Sequence, residues 1–384
     1  MIILQENRMP NISDYLEWRC DIPFAHDPFN DVDNLILAEL SYAHFDGAVP
    51  ADGKRTPLRK VYKTFFEINS REKLEKSDDM LAKTAFLMDG MMEGRRFSGT
   101  QISDYVDIVD TDRDMQMSAV TFILEDGTAY IAFRGTDNTV VGWKEDFNMS
   151  YLPETGGQRE AVAYLNRVGK KLRRPIRVGG HSKGGNFAVY ASAFCDKSVR
   201  DRIIAVYSND APGFRREVTE SEEYRAVIEK VKSIVPESSV IGLLLSSEAA
   251  HKYMVASSVK GMLQHAGMTW QVKRHEFVRT EQSDFGRFIK DTQKDWLSRI
   301  DDRSREKYVN TLFSLLEATG ADTFSEMKGQ KLKSLEQILN TVRDMPDETQ
   351  KLMLEITGEL IGSGSRTIRQ TLSDLRQEKD KDTK

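Results

Sequence analysis

Cysteine is scarce in this 384-residue chain: Cys20 and Cys195 are the only two. They can form at most one bridge, and their spacing suggests no metal site, so a disulfide scaffold and a metal-built module are excluded. Long hydrophobic runs are also lacking. None nears the roughly 20 residues needed to cross a bilayer; the burst from Val240 to Leu245 ends at Ser246. The opening "MIILQENRMPNISDYLEW" has no basic-then-apolar secretory layout. A cytoplasmic protein without a membrane span is expected. An excess of positive charge is missing too. The net charge is −5 with both signs interspersed, so no cationic stripe is present to neutralise phosphates and nucleic acid is not an expected partner. What remains, 39% hydrophobic and 30% charged residues, suits a globular chain whose length suggests about two domains.

The chain divides into zones. Residues 1–116 read as a mainly helical region packing on a core. "DVDNLILAELSYAHF" sets Val32, Leu35, Leu37 and Leu40 near helical spacing, and residues 55–94 suggest two charged amphipathic helices. Residues 117–282 alternate strand-like and helix-like stretches. "AVTFILEDGTAYIAFRG" is a hairpin around Asp126-Gly127, followed by the helix "GQREAVAYLNRVGKKL", the strand "PIRVGG", the helix "KGGNFAVYASAFC" and strands in "RIIAVYSNDAPG" and "VKSIVPESS". Such alternation implies a mostly parallel sheet with helices on both faces. Residues 283–375 read as a helical region or cap, where "SREKYVNTLFSLLEATG" ends at Gly320, and 376–384 as a flexible tail.

The chemistry centres on Gly180-His181-Ser182-Lys183-Gly184. The motif sits between a predicted strand and a predicted helix, where a G-x-S-x-G turn lifts a nucleophilic serine above the sheet. Gly180 and Gly184 suit it because a Cβ there would meet the neighbouring strand and helix. The simpler alternative is a glycine-rich helix entry with Ser182 as N-cap. Phosphate binding fits less well, since Gly-Lys-[Ser/Thr] is absent.

A nucleophilic serine needs a base, an acid and an oxyanion hole. Of six histidines, His265 in "MLQHAGMTW" lies in a loop-like setting after the sheet segments, as the order Ser…Asp…His requires. His181 adjoins the serine and reads as packing or support; His251 and His275 sit among charged residues. Asp210 in "YSNDAPGF" ends the strand after the elbow helix, where catalytic groups of open α/β sheets gather; simple turn chemistry is the other reading. Glu237 in "VPESS" is the alternative acid. The backbone N–H of Lys183 is one oxyanion donor, and Thr136 in "FRGTD" offers a second.

Together, "AFRGTD…GWKEDF", "GGHSKGGNFAVYA" and "VYSNDAPGF" resemble the class 3 lipase group of α/β-hydrolases. More narrowly, "NISDYLEWRCDIPF", "FNDVDNLILAELSYAHFDG", "VPESSVIGLLL" and "QHAGMTW" resemble a bacterial family of lipase-like serine hydrolases. The resemblance runs from about Asn11 to Trp270. It implies an α/β-hydrolase fold with helical extensions, and supports Ser182, His265, Thr136 and Lys183 in the roles above. One departure stands out: class 3 lipases place an Asp just before a Val-Pro, whereas Ser233 and Ile234 precede Val235-Pro236 here, which favours Asp210.

The expected activity is therefore hydrolysis of carboxylic esters, small or lipid, through an acyl-enzyme, with neither cofactor nor metal. The alternatives are acyl transfer by the same triad or a weakly active binding scaffold. The segments Val240–Leu245 and Met254–Leu263 are candidate walls of an acyl pocket, or plain core. Oligomeric state and the role of the C-terminal helices stay open.

Overall fold

The structure, a computed structural model, describes residues 9–50, 53–77, 81–137, 139–239, 241 and 249–284, with scattered positions from 286 to 313. The expectations for the C-terminal helices and tail, and nearly all of Val240–Leu245, fall outside the described residues.

The strands are β1 (Thr56–Pro57), β2 (Gln101–Asp110), β3 (Met115–Ile123), β4 (Ala129–Phe133), β5 (Ile176–His181), β6 (Ile203–Asn209), β7 (Val231–Pro236), β8 (His251–Val255), β9 (Val272–Lys273), β10 (Glu276–Phe277) and β11 (Arg279–Thr280). Nine form one sheet in the order β1-β2-β3-β4-β5-β6-β7-β8-β11, while β9 and β10 pair separately. From β4 to β8 neighbours run parallel. The margins β1 to β4 and β11 are antiparallel. This is a mixed sheet with a parallel centre, the α/β-hydrolase architecture.

Helices α1 (Ile12–Arg19), α2 (Asp31–Leu40), α3 (Leu58–Ile68), α4 (Arg71–Lys76) and α5 (Leu87–Glu93) precede the sheet's main strands, and α6 (Val140–Asn148), α7 (Gly156–Lys171) and α8 (Lys183–Phe194) follow β4 and β5. Two hydrophobic clusters show the layering. Tyr130 and Ala132 of β4 join Leu35, Ile36 and Leu40 of α2, whereas Ala129, Ile131 and Phe133 join Leu165 of α7 and Phe187 of α8. Successive strand residues point to opposite faces, so helices cover the sheet on both sides. Every residue of β3 is buried, as a strand under two layers requires.

Residues 1–116 carry helices α1 to α5, but "QISDYVDIVD" is strand β2, which extends the sheet below residue 117. The expected two helices of residues 55–94 are instead α3, α4, a 3₁₀ turn and α5. In β2, three aspartates disguise the strand: Asp104 has φ 55° at a register shift between Ser103 and Val106, and Asp107 is bound by Arg134.

Helix α2 is unusual because it is buried from Val32 to Leu40, polar residues included. Asn30 caps it, accepting from Val32 and Asp33 N–H while Asp33 accepts from Asn30 N–H at 2.9 Å. The buried Arg96 guanidinium meets Asp33 at 2.7 and 2.5 Å and the carbonyls of Ile22, Asp27 and Pro28. Asn34 Nδ2 donates to Asn209 Oδ1 at 2.9 Å, and Asn209 Nδ2 donates to the Gly180 carbonyl at 3.0 Å. A long buried helix is thereby tied by hydrogen bonds to the end of β5 and β6. Cys20 and Cys195 are both free and buried.

Candidate active site

Ser182 leaves β5 with φ 57° and ψ −134°, directly ahead of α8. An ordinary N-cap has extended backbone and a side chain accepting from the first turn; Ser182 has neither, since its side chain makes no capping bond. The left-handed backbone is strained for a non-glycine residue and is held from outside. The Ser182 N–H donates to the Asn209 carbonyl at 2.9 Å, and the Ser182 carbonyl accepts from Gly185 N–H at 2.9 Å. A Cβ on Gly184 would lie 2.1 Å from the Phe133 carbonyl oxygen, and one on Gly180 would lie 2.3 Å from the Gly184 backbone. Only glycine lets β4, β5 and α8 approach this closely.

Asp210 follows β6 with φ 47°, its side chain fully buried. Its Oδ2 lies 2.6 Å from His265 Nδ1, and its Oδ1 accepts from the Ser239 hydroxyl. With the Asp210 carboxylate as acceptor, Nδ1 is the donor nitrogen of this pair and Nε2 is the ring's free nitrogen. Asn186 of α8 fixes the loop after Asp210: its Nδ2 donates to the carbonyls of Pro212 and Gly213 at 3.1 and 3.0 Å. Glu237 stands elsewhere, accepting from Gln264 Nε2 at 3.3 Å and Thr280 Oγ1 at 3.4 Å. Of the two sequence candidates for the acid, Asp210 is the one beside the imidazole.

His265 ends a 3₁₀ turn over Gly261–His265. Gln264, buried next to it, accepts from Ser238 N–H at 2.9 Å and donates to the Val259 carbonyl at 3.0 Å, while its own carbonyl takes the Trp270 indole N–H at 2.8 Å. Among the other histidines, His251 is exposed on β8 and His275 faces Glu276 at 3.5 Å. His181 points the other way from Ser182 and touches Tyr42 and His265.

The loop after β4 brings Arg134, Gly135 and Thr136 to the elbow. A Cβ on Gly135 would lie 3.0 Å from Ser182 Cβ and 2.6 Å from the His181 carbonyl oxygen, so this backbone passes beside the serine. Buried Arg134 grips Asp107 through two contacts of 2.8 Å and Asp137 at 3.0 Å. The Thr136 hydroxyl donates to Asp146 Oδ2 on α6. Burial pushes the Asp146 carboxyl up to about 6, against the pull of Lys183 and the Thr136 hydrogen bond. Asp146 is partly exposed as a residue, but its Oδ1 is shut off from solvent. Lys183, at the first position of α8, turns inward: Nζ donates to the Gly142 carbonyl at 3.1 Å and to Glu145 Oε2 at 3.2 Å. Sequence reasoning missed Glu145 and Asp146, although "GWKEDF" places adjacent acids soon after the Arg134–Thr136 loop.

His44, Asp46 and Asp107 are close enough to suggest a cation site, but Asp107 is already paired with Arg134, and His44 and Asp46 are exposed. No described helix is long and apolar enough to cross a membrane.

No curated protein matches the chain. Among solved structures, the M37 lipase is 13% identical with a TM-score of 0.36 over 56% of this chain and 70% of that one. The Lip2 lipase from Yarrowia lipolytica is 14% identical with a TM-score of 0.30 over 47% of this chain and 72% of that one. Likenesses this distant say nothing of chemistry. The family model described as Mbeg1-like matches residues 91–314. That match spans more than half of the sequence, and the chain belongs to the lipase-like Mbeg1-like family.

Proposed function

We propose that this protein is a serine hydrolase of carboxylic esters. Ser182 attacks the ester carbonyl as His265 Nε2 takes its proton. Asp210 holds the imidazole in the productive tautomer and offsets the charge that forms on it. The tetrahedral oxyanion is met by the backbone N–H of Lys183 and by Thr136, at the positive end of α8. His265 returns the proton to the departing alcohol, and a water activated by the same nitrogen then releases the acid from Ser182.

One observation carries the reading. A strained, non-capping serine stands at a strand-to-helix turn, in a fold that also sets a fully buried carboxylate 2.6 Å from a partly exposed histidine. The substrates are read as small or lipid esters, in keeping with the lipase-like family.

A fluorophosphonate probe tests the mechanism. Intact protein should label at Ser182 and lose p-nitrophenyl ester turnover, with Ser182→Ala inert to both. Turnover undiminished in Ser182→Ala would overturn the assignment.

A further inference from the structure

The base loop is held from beneath by groups that the mechanism above does not use. His181 Nε2 lies 2.7 Å from the backbone carbonyl oxygen of His265. A carbonyl only accepts, so Nε2 must carry a proton. On the other side of the ring, His181 Nδ1 lies 3.0 Å from the Tyr42 hydroxyl. With the ring neutral, Nδ1 is an acceptor and the tyrosine donates. Burial first, and then the neighbouring His265, hold His181 well below the usual histidine range, so the ring is neutral. The tautomer is fixed by its two partners.

Glu39, also on α2, reaches the same loop. Its buried carboxyl sets Oε1 3.5 Å from His181 Nδ1 and packs against the Gly267 backbone, where a Cβ would lie 2.3 Å from the same oxygen. The His265 carbonyl is bound by the buried His181 ring, and Gly267 packs against the buried Glu39 side chain. They lie at the junction of two short 3₁₀ turns, Gly261–His265 and Gly267–Thr269. The turns close on their own backbone, Ala266 N–H donating to the Leu263 carbonyl at 3.2 Å and Thr269 N–H to the Ala266 carbonyl at 2.9 Å, while the His265 carbonyl takes its bond from His181. The His181 ring also lies against the His265 ring, with centroids 4.6 Å apart and planes inclined by 34°.

We infer that His181, oriented by Tyr42 and backed by Glu39, is a positioning residue that holds His265 in line with Asp210 and Ser182. This deepens the hydrolase reading and rests on it. The chain of donors runs Tyr42 hydroxyl to His181 Nδ1, then His181 Nε2–H to the His265 carbonyl. A neutral ring is needed because it faces the imidazole that becomes cationic during acyl transfer; a second cation at this separation would oppose that charge. Asp210 fixes one edge of the base ring, and His181 fixes the backbone from which the ring hangs.

The test reads the hydrogen bond itself as well as catalysis. The His265 Nδ1 proton held by Asp210 should give a low-field NMR signal in the wild type, assigned by its loss in His265→Ala. In His181→Leu, which keeps bulk but has no donor, that signal should broaden or vanish. Turnover number should fall about ten- to a hundredfold while KM stays within about twofold. His181→Gln, whose amide restores a donor, should recover most of both. Circular dichroism reports folding; if His181→Leu does not fold, Tyr42→Phe decides, with faster exchange of the Nδ1 proton expected. An unchanged signal and turnover in folded His181→Leu would overturn the inference, as would unchanged exchange in Tyr42→Phe. A wild-type protein that lacks esterase activity but shows these spectral effects would defeat the enzyme reading alone.

Discussion

Lys183 Nζ and Glu145 Oε2 form an ion pair at 3.2 Å in which neither side chain is exposed to solvent. Glu145 also accepts from Gly157 N–H at 2.6 Å and Gln116 N–H at 2.9 Å, so one carboxylate joins α6, α7, β3 and the elbow helix α8. Removing one member of a buried pair leaves an uncompensated charge. Lys183→Met should therefore destabilise the protein by about 3–5 kcal/mol, measured by urea unfolding. A loss typical of exposed pairs, about 0–1 kcal/mol, would show that the pair is solvated.

The acid is separated from its rival by paired substitutions. Asp210→Asn should lower turnover by about four orders of magnitude, because an amide no longer selects the Nδ1–H tautomer. Glu237→Gln should cost far less, since Glu237 bonds Gln264 and Thr280 instead of the imidazole. Steady-state kinetics on one ester decides; comparable losses in both variants would contradict the assignment.

The Thr136 hydroxyl gives its one proton to Asp146, which anchors the loop whose Thr136 N–H is the proposed oxyanion donor; Asp146→Ala should loosen that donor and lower turnover by about 10²-fold, the scale of one lost oxyanion contact. The wild-type carboxyl, raised to about 6 by burial, exchanges a charged acceptor for a neutral one as pH falls through that value. Turnover should decline there, and the part of the decline due to Asp146 should be absent from Asp146→Asn. Identical pH–rate profiles for the two proteins would refute this role.

Glu39 makes a stability prediction with a defined sign. Burial raises its carboxyl from 4.5 to about 8, so the folded chain holds a proton that the unfolded chain releases. Its contribution is full below about pH 4.5 and is lost as pH rises through about 8. His181, Tyr42 and the Gly267 N–H are the groups facing it. Glu39→Gln, permanently neutral, should gain Tm relative to wild type between pH 5 and pH 9. A constant difference in calorimetric Tm across that range would exclude buried protonation.

Much of this site was legible because its signals are local. The Asp126-Gly127 turn announces the hairpin, and in the structure Gly127 has φ 82° while Thr128 N–H donates to Asp126 at 2.9 Å. The glycines around Ser182 mark close backbone approach, and chain order alone points to His265. What stayed hidden depends on distant pairings. Asn34 and Asn209 are 175 residues apart, Arg134 and Asp107 are 27 apart, and His181 meets a carbonyl 84 residues on. A buried polar residue has no periodicity of its own, so "DVDNLILAEL" shows an apolar stripe and conceals where Asp33, Asn34 and Glu39 go. Strand β2 was hidden for a related reason, because its aspartates read as solvent-facing until Arg134 is placed beside one of them.

Helix α2 lies before residue 91, where the family match begins. Yet it covers Tyr130 and Ala132, gives Asn34 to Asn209 at the end of β6 and sets Glu39 3.5 Å from His181 Nδ1. A protein started at residue 91 would keep Ser182, His265 and Asp210 but uncover one side of the sheet and leave Asn209 Oδ1 without the Asn34 amide. The portion recognisable by descent is thus shorter than the portion able to fold, and trimming the gene to the matched segment should yield an aggregating fragment.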